Sequence, residues 1–206
     1  MLDFNLEILN KELSVRSPEE IIQWAVGLSE KRIVTTSFGT YSGVLLKSVT
    51  QVDPDIPVIW CDTGYNNSET YKHAELLTKE LSLNLKVYAP KYTKAYIDHH
   101  VGLPTSDDPR HKEFSEIVKL EPFKRALQEW KPEVWFTNIR TDQTRLRDAK
   151  NILSYSNDGI LKVSPFYYHK DQEIEKILES FDLPKNKSYF DPVKALQSRE
   201  CGIHRF

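Results

Sequence analysis

The middle of the chain alternates short apolar segments with longer amphipathic ones, and no other feature constrains the fold as much. Residues 32–36, 58–61 and 85–88 are rich in β-branched and aromatic side chains, which predicts three strands. Helical patterns separate them, over residues 42–52 and 68–81. This order requires right-handed crossovers, and therefore a mostly parallel sheet with helices on both faces. The sequence predicts an α/β fold.

The flanking segments extend this pattern. Ser17 begins a capping box, so a helix should run from there to about Gly27. A helix, a strand, a hairpin and a last helix are predicted at residues 121–130, 134–137, 151–164 and 172–181. Little apolar periodicity follows, so we expect a single nucleotide-binding domain over residues 1–182 and a mobile tail over residues 183–206.

Composition excludes several classes of protein. The 206 residues suit one domain, and 28 Lys+Arg against 30 Asp+Glu leave a net charge of -2, which disfavours nucleic acid as a partner. No apolar run is long enough to span a membrane and the first residues lack a signal-peptide pattern, so we expect a cytoplasmic protein without membrane contact. Two cysteines, Cys61 and Cys201, cannot supply the four thiolates of an iron–sulfur cluster.

Two loops follow predicted strands at the edge where α/β sheets bind ligands. The first loop is Ser37, Phe38, Gly39 and Thr40, and the second is Asp62, Thr63 and Gly64. Each contains a small hydroxyl residue and a glycine, which suit close approach of the backbone to a phosphate. Neither loop matches a Walker or dinucleotide-binding motif. Ordinary strand-to-helix turns remain the alternative interpretation.

A cluster of positive charge follows the strand at residues 134–137. Arg140, Arg145 and Arg147 fall within eight residues, and guanidinium groups suit phosphates or sulfonates. The alternative is a solvated charged helix in which neighbouring aspartates are the partners. The sequence does not decide whether Arg145 faces substrate or solvent.

The end of the chain has the local chemistry of a nucleophile. Cys201 precedes a glycine and lies between Arg199, His204 and Arg205, which favour a thiolate. An incidental terminal cysteine is the alternative. Cys61 lies inside an apolar strand and is interpreted as a buried inert thiol.

The histidines do not predict a metal site. His99, His100 and His111 have no cysteine or carboxylate at metal-ligand spacing. We interpret them as surface residues.

Together these features resemble the thioredoxin-dependent phosphoadenylyl-sulfate reductases of the sulfonucleotide reductase family. The resemblance covers residues 37–147 and continues at Lys162-Val163-x-Pro165. It includes Lys119-Leu120-Glu121-Pro122 and the spacing of Arg140, Gln143 and Arg147. Glu200-Cys201-Gly202-x-His204 is its most specific element and resembles the catalytic signature of that family.

The resemblance implies an adenine nucleotide α-hydrolase-like fold and a reductase mechanism. Cys201 would attack the sulfonate sulfur of 3'-phosphoadenylyl sulfate, expel adenosine 3',5'-bisphosphate and become an S-sulfocysteine. Thioredoxin or glutaredoxin would then release sulfite as the electron donor. The resemblance also implies a homodimer, no bound cofactor and a role in assimilatory sulfate reduction. The substrate-binding residues that it implies are Ser37, Phe38, Gly39, Thr40, Asp62, Thr63, Gly64, Lys119, Arg140, Gln143, Arg147, Lys162, Arg199 and His204.

Departures from related patterns leave two alternatives. Relatives that handle ATP carry Ser-Gly-Gly-x-Asp-Ser where this chain has residues 37–42, and the missing acid favours a substrate with additional negative charge. Phe114 and Ser115 replace the cysteine pair of cluster-bearing adenylyl-sulfate reductases. A cluster-free adenylyl-sulfate reductase is therefore one alternative. The segment before Arg199 is shorter than in typical members and lacks their Gly-Asp-x-His element, so a nucleotide-binding module without catalysis is the other.

Overall fold

A computed structural model describes residues 4–105, 107–141, 151–191 and 193. The helices are α1 (Leu6–Leu13), α2 (Pro18–Val26), α3 (Ser42–Val52), α4 (Ser68–Glu80), α5 (Lys94–His100), α6 (His111–Ser115), a π-helical turn (Glu116–Leu120), α7 (Glu121–Trp130) and α8 (Asp171–Ser180). The strands are β1 (Arg32–Thr36), β2 (Val58–Cys61), β3 (Leu85–Tyr88), β4 (Val134–Phe136), β5 (Leu153–Tyr155) and β6 (Leu161–Val163).

The strands form one sheet in the order β3-β2-β1-β4-β6-β5. Every neighbouring pair is parallel except β5 and β6, which form the predicted antiparallel hairpin. Gly159 allows the hairpin turn because its φ is +77°. The predicted α/β class and mostly parallel sheet are confirmed.

Alternation along the strands divides the apolar side chains between two cores. Val34, Val58 and Phe136 belong to the first core, which α1, α2, α3, α4 and α8 cover. Ile33 and Trp135 belong to the second, which α5, α6, the π-helical turn and α7 cover. Strands buried on both faces explain why the sequence shows continuous apolar segments there.

Three helical segments were not predicted from the sequence. Helix α1 lies before the first predicted element, and α5 buries only Ile97, so its apolar pattern is weak. Helix α6 and the π-helical turn run directly into α7, so helix begins ten residues before the predicted residue 121. Among the described residues, no helix is both long and apolar enough to cross a bilayer.

Asn10 fastens α1 to β5, an edge strand of the sheet. Its side-chain amide donates to the Leu153 carbonyl at 3.1 Å and accepts from the Leu153 N–H at 2.8 Å. Both backbone groups of Leu153 are thereby satisfied although the residue is buried. The helix closes an edge that would otherwise offer unpaired backbone groups.

Replacement of Asn10 by alanine is expected to lower the free energy of unfolding by about 2–3 kcal/mol, because two buried backbone groups lose their partners. Urea denaturation measures the change. Asn5→Ala is the matched control, since Asn5 caps α1 at an exposed position through one bond to the Ile8 N–H. The Asn5→Ala substitution should lower the free energy of unfolding by about 1 kcal/mol. Equal losses for the two variants would show that α1 does not depend on the contact with β5.

Candidate active site

The site is built around the point where the strand order reverses. β1 and β4 are neighbours, and from them the chain continues to β2 and β3 on one side and to β6 on the other. The loops after β1 and β4 therefore border a crevice at the carboxyl edge of the sheet, which is where such folds bind ligands. Predicted site residues lie on both loops.

The loop after β1 is held in a strained conformation. Phe38 has a φ of +48°, which is uncommon for a residue with a Cβ, and its ring is fully buried against Trp60. Its N–H donates to Thr36 Oγ1 at 3.0 Å. Phe38 therefore shapes the loop from the core, while Ser37 and Thr40 are partly exposed beside it.

Helix α3 begins at the end of this loop. The Ser42 N–H and hydroxyl both donate to the Gly39 carbonyl, at 3.0 and 2.9 Å. Tyr41 occupies the N-cap position and makes no side-chain hydrogen bond to the first turn. The partial positive charge of the helix N-terminus thus adds to the potential at the crevice.

The loop after β2 is organised by Asp62. Its carboxylate accepts hydrogen bonds from the Gly64 N–H at 3.0 Å, from Asn66 Nδ2 at 2.9 Å and from the Tyr71 hydroxyl at 2.9 Å. Burial and the bond to Asp62 raise the pKa of Tyr71 to about 12, so this donor keeps its proton. Thr63 is buried and accepts from the Tyr65 N–H. Asp62 and Thr63 therefore fix the loop on which Gly64 is exposed with a φ of +75°.

Arg140 lies in the loop after β4, four residues beyond the end of the strand, and is only 3% exposed. Its Nη1 is 2.6 Å from Asp171 Oδ1, but Nε and Nη1 make no hydrogen bond within the described part of the chain. The guanidinium carbon lies 5.4 Å from the ring centroid of Tyr41, and Lys185 Nζ lies 5.0 Å from the same centroid. Two cations therefore flank one aromatic ring at the start of α3.

Lys119 lies on the π-helical turn and pairs with Asp191. The two side chains are 5% and 3% exposed, so this ion pair is buried. Asp191 also accepts from the Tyr189 hydroxyl at 3.2 Å and from the Val193 N–H at 3.0 Å. π-helical turns are frequent at functional sites, and this one places a predicted substrate-binding lysine opposite a carboxylate.

The segment that leads to Asp191 is packed over the loop after β1. Asn186 Nδ2 donates to the Phe38 carbonyl at 3.0 Å. The Tyr189 ring lies 3.5 Å from where a Cβ on Gly39 would stand, which is van der Waals distance, so the ring packs directly on the loop. Residues 186–191 thus close one side of the crevice, although the sequence placed them in a tail.

Lys162 lies inside β6 and is 3% exposed. Its ammonium is 5.4 Å from the ring centroid of Trp135, on the face of the sheet that the second core covers. Val118 and Val193, beside Lys119 and Asp191, belong to the same core. Lys162 and Lys119 therefore lie on the second-core side, whereas Arg140 and Lys185 lie beside α8 and Tyr41 on the first-core side.

Five predicted site residues lie outside the described residues: Gln143, Arg147, Arg199, Cys201 and His204. Their assignments stay predictions, as does the boundary between a domain over residues 1–182 and a tail over residues 183–206. Sequence reasoning missed Lys185, Tyr189 and Asp191. Their signal is weak because they stand in an irregular segment, and only burial distinguishes Asp191 from a surface acid.

The structure also places the cysteine and the three histidines that the sequence analysis considered outside the site. Cys61 is buried, as predicted. His111 is only partly exposed and its Nε2 is buried, so its interpretation as a surface residue was wrong, whereas His99 and His100 are exposed. In the described ranges, no three His, Cys, Asp or Glu residues are grouped so that they could hold a metal ion.

Comparison with known proteins identifies the family. The model of the phosphoadenosine phosphosulfate reductase domain matches residues 31–196. The chain belongs to this family. A phosphoadenosine 5'-phosphosulfate reductase of Synechococcus sp. is 36% identical over 183 residues, which cover 87% of this chain and 78% of the relative. The corresponding protein of Photobacterium profundum is 36% identical over 178 residues, which cover 85% and 70%.

Solved structures agree on the fold. The crystal structure of a phosphoadenylyl-sulfate reductase from Candida auris in complex with phosphate superposes with a TM-score of 0.81, at 23% identity, over 93% of this chain and 97% of that one. An NH3-dependent NAD synthetase from Campylobacter jejuni superposes with a TM-score of 0.56 at 12% identity, over 91% and 80%. The resemblance found in the sequence is confirmed. The phosphoadenosine phosphosulfate reductase family to which this chain belongs consists of oxidoreductases that act in sulfate assimilation.

Proposed function

We propose that this chain reduces 3'-phosphoadenylyl sulfate through Cys201, with thioredoxin or glutaredoxin as the electron donor. The observation that carries the proposal is that three cations predicted to bind substrate are buried in a protein with a net charge of -2. Lys119, Arg140 and Lys162 are 4%, 3% and 3% exposed. Burying cations is costly, so three buried cations at positions predicted to bind substrate favour a polyanionic ligand.

The chemistry balances with one cysteine on the enzyme. The Cys201 thiolate attacks the sulfonate sulfur, the bond from sulfur to the phosphate oxygen breaks, and adenosine 3',5'-bisphosphate leaves with that electron pair. A donor thiolate then attacks the Cys201 sulfur and expels sulfite, forming a mixed disulfide. The second donor thiol resolves this disulfide, so the two electrons come from the donor dithiol.

The buried cations suit this reaction because a thiolate must approach a substrate that is already negative. Two like charges 4 Å apart repel by about 4 kcal/mol at an effective dielectric near 20. Lys119 and Lys162 would offset that repulsion, Arg140 would neutralise further negative charge on the nucleotide, and Arg147, Arg199 and His204 would add to them. A dithiol donor also requires a reducing compartment, which supports the cytoplasm as the location. A homodimer stays part of the proposal, and light scattering tests it.

Intact-protein mass after incubation with 3'-phosphoadenylyl sulfate, without any donor, tests the proposal. The reduced enzyme should gain one sulfonate, about 80 Da, and thioredoxin should remove it with release of sulfite. Cys201→Ser should show no gain while it still binds adenosine 3',5'-bisphosphate.

The same experiment separates the two alternatives. A stronger adduct with adenylyl sulfate than with its 3'-phosphorylated form would favour the cluster-free adenylyl-sulfate reductase. Nucleotide binding without an adduct from either substrate would favour a binding module that has lost catalysis. An adduct that persists in Cys201→Ser would contradict the assignment of the nucleophile.

A further inference from the structure

The group around Tyr41 contains a residue that neither the sequence motifs nor the family comparison assigned. Lys185 Nζ lies 5.0 Å from the Tyr41 ring centroid, and the Arg140 guanidinium lies 5.4 Å from it. Each cation has an acidic neighbour on α8. Arg140 is 2.6 Å from Asp171, and Lys185 is 2.5 Å from Glu175.

Arg140 shows that this group is built to receive an anion. Its Nε and Nη1 are buried and make no hydrogen bond among the described residues. Buried donors without acceptors are rare because each costs about 1–3 kcal/mol. An oxyanion in the crevice would satisfy both donors, whereas Asp171 approaches Nη1 without forming a hydrogen bond.

The acidic neighbours are placed so that a ligand can displace them. The side chains of Asp171 and Glu175 are 65% and 42% exposed, so water solvates them once the cations turn to a ligand. Arg140 and Lys185, at 3% and 28% exposed, are the more enclosed partners. Exchange of a solvated carboxylate for a bound phosphate therefore costs little.

The two positive charges of Arg140 and Lys185 beside Tyr41 match a ligand group that carries two negative charges. A phosphate monoester carries about −1.5 to −2 charges at pH 7 on a single phosphorus. The two anionic centres of a phosphosulfate carry about one charge each. Tyr41 is uncharged and stands where related nucleotide-binding loops have an acid, so nothing on the loop itself repels a dianion. The two cations beside Tyr41, Arg140 and Lys185, thus suit the phosphate monoester better than the phosphosulfate.

A separate place exists for the reacting end of the nucleotide. Lys119 and Lys162 lie on the second-core side of the sheet, whereas Tyr41 packs against the first core. Two cationic groups toward different faces of the sheet suit the two anionic ends of one nucleotide.

We infer that Lys185 is a specificity-determining residue that, with Tyr41 and Arg140, receives the 3'-phosphate of the nucleotide. This inference rests on the proposed function, because it concerns the same crevice. It predicts that Lys185 contributes to the preference for 3'-phosphorylated nucleotides and not to nucleotide binding in general. Lys185 keeps its proton at neutral pH, since hydrogen bonds to Glu175 and Tyr41 raise its pKa.

Calorimetric titration of the full chain with adenosine 3',5'-bisphosphate and with AMP tests the inference. Wild type should prefer the bisphosphate, and Lys185→Met should reduce that preference about tenfold while the Kd for AMP stays unchanged. Lys187→Met is the matched control, because Lys187 is exposed in the same segment. It should leave both Kd values unchanged.

A second variant tests the same inference in the opposite direction. Glu175→Gln removes the carboxylate that competes for Lys185, so it should tighten bisphosphate binding about two- to threefold and leave AMP binding unchanged. Equal weakening of both nucleotides by Lys185→Met would overturn the inference, because Lys185 would then contact a group that both share. An unchanged preference in Lys185→Met would also overturn it. If wild type binds neither nucleotide, the proposed function itself is wrong and the inference fails with it.

Discussion

Replacement of Arg140 by methionine is expected to weaken binding of adenosine 3',5'-bisphosphate about a thousandfold and, in the absence of nucleotide, to leave the protein as stable as wild type or more stable. The two effects have one cause. Among the described residues, Nε and Nη1 of this arginine are buried without hydrogen bonds, so the free protein carries a desolvated charge that a bound anion would satisfy.

The magnitudes follow from the bonds involved. Two hydrogen bonds from a guanidinium to an anion contribute about 1.5–3 kcal/mol each, which corresponds to roughly a hundredfold to ten-thousandfold in Kd. Methionine is unbranched and flexible, so it can fill the space of the arginine without unsatisfied donors, and Asp171 stays solvated because its side chain is 65% exposed. Such a trade of stability for function is common at binding sites.

Arg32 supplies the matched control at the opposite edge of the sheet. Its side chain is only 12% exposed, but it is satisfied: Nε donates to Asp53 at 2.6 Å and Nη1 donates to the Ser29 carbonyl at 2.7 Å. Arg32→Met should therefore lower the free energy of unfolding and leave the Kd unchanged. Thermal melts and calorimetry measure both quantities. If Arg140→Met destabilises the protein as much as Arg32→Met does, Arg140 is a structural residue and its role in the site is wrong.

Replacement of Lys119 by methionine is expected to lower the free energy of unfolding by about 3–5 kcal/mol. The change removes the ammonium of Lys119 from the carboxylate of Asp191, whose side chain is 3% exposed. Breaking a buried ion pair from one side has this cost because the remaining charge stays desolvated. Urea denaturation without nucleotide measures the loss.

A double variant separates the stability contributed by the Lys119–Asp191 ion pair from the contribution of each side chain alone. Lys119→Met combined with Asp191→Asn removes both charges, so its loss of stability should be smaller than that of Lys119→Met alone. Lys72→Met is the control for a surface pair, since Lys72 and Glu69 are 69% and 56% exposed, and it should cost less than about 1 kcal/mol. Additive losses in the double variant would mean that the two side chains do not stabilise each other.

The parts of the fold that could be predicted are those whose pattern is local. Strand β1 is rich in β-branched residues, β2 is a continuous apolar segment, and the capping box at Ser17 fixes the start of α2 through bonds within one turn. Helices α1 and α5 depend instead on tertiary contacts, such as the pairing of Asn10 with Leu153, which no window of sequence contains. The sequence pattern therefore predicts the strands of the sheet better than it predicts helices such as α1 and α5.

The residues of the candidate site also fall into those that the sequence could predict and those that it could not. The loops after β1 and β2 could be predicted because strand ends in an α/β sheet converge, and Arg140 belongs to a recognisable motif. Lys185 and Asp191 could not be predicted, because their importance comes from contacts with Tyr41 and Lys119 in a segment without periodicity. Asp62 shows a third case: its position at the edge was predicted, but the structure uses its carboxylate to hold its own loop.

The anchoring of Asp191 limits the volume that the proposed nucleophile, Cys201, could explore. Cys201 is ten residues further along the chain, and ten residues reach at most about 36 Å even when fully extended. A group tethered within such a radius has an effective concentration in the millimolar range relative to a site near the anchor. Under the proposed mechanism, the thiol would therefore meet bound nucleotide as an intramolecular reactant. Its rate of encounter depends on the length of chain after Asp191 and not on the concentration of enzyme.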